Sequence, residues 1–407
     1  MARVYTDPGA GALPGGTAYT LSVARQADAL EASWRAMLKD EELENAALNA
    51  IQTDNVLSRE DVVGILRSAG DLGGVTAAEL ADLRLFYSRA INTSLAAQTI
   101  RILAAKVLFA DASNAWYTGS DSLRDRLGDL AAGSSTTQLQ LLIGKHFLGT
   151  DRPAIHRDAA GLLAGRYLLA AGDLFIGGVR ADDVRQGVNS TCYLMAALAG
   201  TARDKASRIL SLFTDNGDGT WIVRFHTQGK VDCVTVDRLL PADAAGAYLY
   251  ANAGLPLAAA NALWVALVEK AYAQVNESGR IRQDGTNFYG NGNDNGIGWG
   301  ASDQALTHIT GLSTGLHSSA AFSSAGLIAL VNGSRVVTIG LFNALATSTT
   351  SDPTLVSTAV DAHMYAITAY DPITARFALH NPWGNRHLSL TDAQLRSLGG
   401  WIGATAS

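Results

Sequence analysis

Two cysteines in 407 residues, Cys192 and Cys233, are too few for a disulfide framework, and no Cys/His spacing of a zinc site surrounds them. A thiol that mattered here would need a reducing compartment. Charge is also sparse, at 17% of residues with a formal net charge of −6, which speaks against a general nucleic-acid binder with its basic face. No run approaches the roughly 18 apolar residues of a membrane span. The opening "MARVYTDPGAGALPGG" lacks the charged-then-apolar order of a secretory leader. Together these absences point to a cytoplasmic protein. What is present is a hydrophobic fraction of 48%, enough for well-packed cores and against wholesale disorder. The length exceeds one ordinary core and implies two or three domains.

The texture of the chain changes along its length. Residues 1–16 are Gly/Pro-rich and read as a flexible arm. Residues 17–150 carry apolar positions at helical spacing with almost no alternation, the pattern of an all-helical N-terminal region. Two capping boxes punctuate it, Ser58 with Asp61 and Thr76 with Glu79. Between them "SAGDLGGVTAAE" has the glycine and glutamate of an EF-hand loop. Ser68, Gly70 and Leu72 stand where its acidic ligands belong, so it reads as a helix–loop–helix without calcium.

Beyond Arg152, strands enter. Trp221–Asp237 alternates like a hairpin turning at Gln228-Gly229, and Asn261–Asn276 reads as an amphipathic helix. The Gly/Asn-rich run Asp284–Gly300 reads as a flexible loop and a boundary, giving domains 151–290 and 291–407. The last of these is mostly strands. The class is α+β.

Two features carry chemistry. Cys192 follows Ser190 and Thr191, both N-cap types, and precedes good helix formers, which puts its sulfur in a first helical turn. The unpaired N–H groups there favour a thiolate. Free cysteines are nonetheless usually buried and inert, and this segment alone leaves both readings open. His363 and Asn381 stand nine residues either side of Pro372, where Asp371-Pro372 marks a turn. A hairpin centred there sets them directly opposite each other, with Cβ atoms about 4.5–5.5 Å apart. A one-residue slip would separate them onto opposite faces. The order Cys192, His363, Asn381 is that of a Cys-His-Asn thiol protease. Gln186, six residues before Cys192, can donate to an oxyanion, and Trp383 can shield the Asn–His bond from water.

The stretches "QGVNSTCYL", "LWVALVEKAYAQVN", "VTVDRLLP", "DQALTHITG" and "HNPWGN" occur in the order of the calpain protease core. Residues 165–400 resemble that family. The resemblance implies a papain-like core with a helical cysteine-bearing subdomain and a β-rich His/Asn subdomain, hinged at Asp284–Gly300. It implies Cys192 as nucleophile, His363 as base and acid, Asn381 as orienter and Gln186 as oxyanion donor, acting on protein or peptide substrates. It also implies one calcium ion, Ca2+, held by the Ile176 and Gly178 carbonyls, Asp183 and Glu269; two carboxylates among oxygen ligands suit that ion. Departures are Thr191 for the family's Asp and Tyr193 for its Trp. Carboxylates are scarce after "NPWGN", so a second calcium site is expected to be missing. The expected function is a calcium-modulated cysteine endopeptidase; the alternative is a catalytically silent binding or regulatory module of the same fold. Residues 17–150 are expected to pack on the core as a regulatory or pro-region, and Cys233, in mid-strand, to be structural.

Overall fold

The computed structural model describes residues 36–54, 56–71, 73–119, 124–291, 295–342 and 359–406. The proposed arm at 1–16, the start of the helical region to 35, and Leu72 lie outside the described residues. The described chain is a mixture of helices and sheets, as the α+β reading expects, and divides into two compact units.

One unit takes in the described residues up to Ala97 together with 131–136. Its helices are α1 (Glu41–Asp54), α2 (Arg59–Ser68) and α3 (Ala77–Phe86). Both expected capping boxes are formed: Ser58 and Thr76 accept the N–H groups of Asp61 and Glu79, whose carboxylates reach back to the cap residues. The Glu79 carboxylate, placed where an EF-hand keeps its last ligand, thus accepts from the Thr76 N–H at 2.6 Å. Leu43, Ala47, Val62, Leu66, Leu83 and Phe86 are buried.

The other unit holds Gln98–Leu130 and everything described from Thr137 onward. Its first part contains α4 (Gln98–Leu108), a short pair β1 (Trp116–Tyr117) and β2 (Asp125–Arg126), and most of α5 (Thr136–Ile143). Ion pairs join this part to later residues: the buried Lys106 to Asp232 at 2.6 Å, the buried Lys145 to Asp151 and to Glu277, and the one-third-exposed Arg280 to Asp111 at 3.2 Å.

Strand β3 (Arg166–Leu169) leads to α6 (Cys192–Asp204) and α7 (Ala206–Leu210). Strands β4 (Phe213–Asp215), β5 (Thr220–Thr227) and β6 (Lys230–Asp237) form an antiparallel sheet, and β7 (Leu239–Ala242) pairs with β3. The β5–β6 hairpin turns where expected, because Gln228 and Gly229 both take positive φ, 49° and 73°, the pattern of a two-residue type I′ turn. Cys233 is buried in β6. The helix expected over Asn261–Asn276 is α8 (Trp264–Val275), and it is buried on all sides rather than amphipathic. Its charged residues look like a solvent face in sequence but find partners inside. Lys270 bonds Asp237 and the Leu239 carbonyl, and Glu269 bonds Thr191 and Ala251.

In the run Asp284–Gly300, 292–294 lie outside the described residues. The remainder is anchored rather than loose. Asp284 accepts from Gly296 N–H at 2.7 Å, from Asn276 and from Thr286, and Asn287, Tyr289 and Ile297 are buried. After it come α9 (Ser302–Thr310), β8 (Thr314–Ser318), α10 (Ser324–Asn332), β9 (Val337–Leu341), β10 (His363–Asp371), β11 (Arg376–His380), β12 (Leu388–Thr391), α11 (Asp392–Ser397) and β13 (Trp401–Thr405). The strands make one six-stranded sheet in the order β12-β11-β10-β9-β13-β8. α6 lies against β10. A Cβ on its Gly200 would come within 2.7 Å of the Val336 side chain and 3.6 Å of Ala366.

The β10–β11 hairpin is not centred on Pro372. Its first pair is Asp371 with Arg376 across the loop 372–375. A bulge between Ile367 and Ala369 shifts the register, so that Ala366 faces His380. His363 is therefore not directly opposite Asn381. Continued toward His363, the register is two residues away from the expected one. An even slip keeps side chains on the same face and makes the pair a diagonal one.

Candidate active site

The cysteine side is built by the loop that ends in α6. Gly187 runs so close to the Tyr250 carbonyl that a Cβ would sit 2.2 Å from its oxygen. Asn189, buried, donates to the Tyr289 carbonyl, and the Tyr250 and Tyr289 rings stack at 4.0 Å. Thr191 holds the N-cap position, but its hydroxyl does not cap the helix; it donates to Glu269 Oε1 at 2.7 Å. Cys192 is the first residue of α6 and is 7% exposed.

Burial pushes its thiol pKa up, with the neighbouring backbone donors opposing, and so acts against the thiolate that the helix start favours. A first-turn dipole effect is about 0.3–1 kcal/mol. Withdrawing a charge from water costs more than that, and desolvation wins.

The opposite side is the start of β10 and the end of β11. His363 Nε2 lies 3.0 Å from Asn381 Oδ1, and the Trp383 N–H donates to the same oxygen at 2.9 Å. The second bond fixes which end of the carboxamide faces the ring. An oxygen that already accepts must accept from His363 too, so Nε2 carries the proton and Nδ1 is left as the basic nitrogen. Burial lowers the His363 pKa to about 4, against the Asn381 hydrogen bond, with Arg386 lowering it further. The Trp383 ring lies 4.8 Å from the imidazole and is half-buried.

Two backbone contacts close the sides on each other. Met364, next after His363, hydrogen-bonds the Cys192 thiol through its backbone, and Gln186 N–H donates to the Pro382 carbonyl at 2.7 Å. The Gln186 side chain donates through Nε2 to the Asn189 carbonyl at 2.7 Å, which leaves one Nε2 proton. The Cys192 N–H is one of the first-turn donors that no helix carbonyl can reach.

The four residues expected to hold calcium divide in this structure. Ile176 and Asp183 line a cavity of about 160 Å³, whereas Glu269 is not among its lining residues. Asp183 Oδ2 accepts from Trp264 Nε1 and Arg180 N–H, each at 3.0 Å. Glu269 Oε2 accepts from Ala251 N–H at 2.7 Å, and burial raises its pKa to about 7. Gly178 is exposed, with φ 97°.

Sequence reasoning missed His387, whose Nδ1 accepts the Asn381 backbone N–H at 3.0 Å. Nothing in "WGNRH" distinguishes it from a surface polar residue. It also missed the Thr191–Glu269 bond, which joins residues 78 apart.

The structure thus brings a thiol at a helix start to the strand that carries a histidine bonded to an asparagine. The pattern of the calpain family cysteine proteases matches residues 166–391, more than half of the chain. The chain belongs to the calpain family. It is 31% identical over 231 residues to calpain clp-4 of Caenorhabditis elegans, covering 54% of this chain and 29% of that protein. It is 34% identical over 106 residues to the calpain-type cysteine protease DEK1 of Zea mays, covering 26% of this chain and 5% of that protein. The chain thus spans less than a third of the length of these curated relatives.

Proposed function

We propose that this chain is a calpain-like cysteine endopeptidase working through Cys192, His363 and Asn381, with Gln186 as oxyanion donor and Trp383 as the shield of the Asn–His bond. The observation that carries the reading is the His363–Asn381 bond, because it leaves Nδ1 as an unprotonated base. The cysteine half and the His/Asn half then act as the two walls of a papain-like cleft. With both groups neutral at rest, the Cys192 proton passes to His363 Nδ1 as the sulfur attacks the peptide carbonyl. The oxyanion takes hydrogen bonds from Cys192 N–H and the remaining Gln186 Nε2 proton. His363 returns the proton to the leaving amine, giving a thioester. Water then attacks, its proton going to His363, and release of the carboxylic acid restores the thiol. Casein hydrolysis under reductant tests this: full activity of Cys192→Ala would sink it.

The burial of Cys192 favours a second reading, a silent module of the same fold. An epoxide-type thiol-protease inhibitor separates the two, since stoichiometric labelling of Cys192 is expected only of a competent thiol.

For calcium, two carboxylates and two carbonyls are the right donor chemistry. Glu269, buried with only neutral donors, is a carboxylate that a cation would suit. Asp183 and Glu269 are bonded to separate protein donors, so no step is assigned to the ion. If the ion binds here, Asp183 and Glu269 are the carboxylates that would hold it. Calorimetric titration of wild type and Asp183→Asn measures this directly, and equal heats from both would remove the site. The free thiols suit a reducing, cytoplasmic setting. We assign the helical residues before 98 a regulatory role. Unchanged activity and calcium response after their deletion would refute it.

A further inference from the structure

We infer that His387 is a positioning residue for the His363–Asn381 pair, and that it acts only while its Nδ1 is unprotonated. This rests on the peptidase reading for its catalytic consequence. The argument begins with Asn381, whose carboxamide is wholly buried and whose Oδ1 serves both His363 and the Trp383 N–H. What holds that residue in place is its backbone. Asn381 lies just beyond the last residue of β11, so no strand partner takes its N–H. The acceptor is instead His387 Nδ1 at 3.0 Å, across the Pro382–Arg386 turn.

An imidazole accepts at a nitrogen only when that nitrogen lacks a proton. Protonation would set an N–H against an N–H, and the Asn381 donor would be left unmet in a buried place. His387 itself is exposed, so protons reach it freely. The groups that face it are few among the described residues. The His380 ring lies 4.5 Å away and is held neutral, its pKa lowered to about 4 by burial first and by His387 next. Asp182, almost fully exposed, comes within 3.9 Å of His380 Nδ1. Arg386 precedes His387 and covers the Trp383 ring at 5.7 Å, and Arg185 approaches the turn at Gly384. Among the described residues no buried carboxylate is placed beside His387 to compensate a positive charge there. Protonation therefore opens the turn rather than being absorbed by an ion pair.

The expected chain of effects is acid, then His387, then the Asn381 backbone, then the orientation of His363. A glutamine at 387 offers an acceptor that takes up no proton as the pH is lowered. The test uses the full chain with ¹⁵N-asparagine labelling together with rate profiles. As pH is lowered the Asn381 amide resonance is expected to move in wild type and to stay flat in His387→Gln. His387→Ala is expected to lower kcat about five- to tenfold at neutral pH with little change in KM, as for one lost hydrogen bond. His387→Gln recovers most of that loss and moves the acid limb of kcat to lower pH. An Asn381 amide that does not move in wild type, or that moves equally in the glutamine variant, overturns the proposal whether or not the chain cleaves peptides. Absence of cleavage by wild type with the amide titration intact is a failure of the peptidase reading alone.

Discussion

Two buried polar regions of the larger unit answer the same physical demand in opposite ways. In the ion-pair belt each buried charge has an opposite charge in contact. Lys145 sits between Asp151 and Glu277, Lys106 on Asp232, and Lys270 on Asp237 beside Arg152. Burial works against the Lys145 cation, yet Asp151 and Glu277 hold its pKa above the ordinary lysine value. Glu277 is the weak member: burial raises its pKa despite Lys145 and Arg124. Around Cys192 and His363 the opposing influences are backbone donors and the Asn381 carboxamide, and burial drives both groups to the neutral form, with Arg386 adding to it at His363. Burial also lowers the Lys270 pKa to about 8 despite Asp237, so the belt keeps its charges through close partners and against desolvation. The Cys192–His363 region keeps charge out of the resting state, which is what the proposed proton transfer requires.

The largest effect should come from deleting the mobile proton. Cys192→Ala is expected to lower kcat by about a thousandfold or more with the denaturation midpoint unchanged. A comparable loss of stability in that variant would mean that the cleft, too, is structural. Next, Lys145→Met strands two carboxylates and is expected to cost about 3–5 kcal/mol in urea unfolding. A cost below about 1 kcal/mol would show that water reaches the pair.

Acid separates the regions by pH. His308, His363 and His380 are buried with pKa values lowered from 6.5 to about 4. The unfolded chain takes up protons there before the folded one does. Stability is therefore lost as pH falls from 6.5 to 4, by up to about 3 kcal/mol per ring before screening. Asp237 is held below the ordinary carboxylate value of 3.8 by Lys270 and Arg152, despite burial, so its contribution disappears only at lower pH. Urea midpoints of His308→Gln, which keeps a partner for Tyr272, should reduce the first limb by one ring's share and leave the second. The smallest effect belongs to the belt's outer pair. Asp111→Asn retains the acceptor for Ser113 and loses the charge that faces Lys106 and the one-third-exposed Arg280, about 1 kcal/mol by the same measurement.

Local rules carried well where the cause was local. The two capping boxes and the Gln228-Gly229 turn are decided within four residues of sequence. The His363–Asn381 contact was foreseen for an imperfect reason. The turn is a four-residue loop rather than a Pro-centred one, an odd displacement that alone would have put the side chains on opposite faces. The bulge between Ile367 and Ala369 takes one residue back and restores the face. Nothing in "HMYAITAYD" announces that bulge. The interior of α8 was illegible for another cause. Lys270 and Glu269 look solvated until Asp237 and Thr191, 33 and 78 residues away, are brought to them. The thiol was misjudged because a dipole can be read from sequence and desolvation cannot.

Gly200 makes the last point. It lies eight residues along α6 from Cys192, about 12 Å at the helical rise, where the helix bears on Val336 and Ala366 through a hydrogen atom alone. A rigid rod resting on such a spot behaves as a lever with a fulcrum, and one methyl group inserted beneath it swings the far end. The alignment of the sulfur is thus gauged two turns away, at a residue with no chemistry of its own.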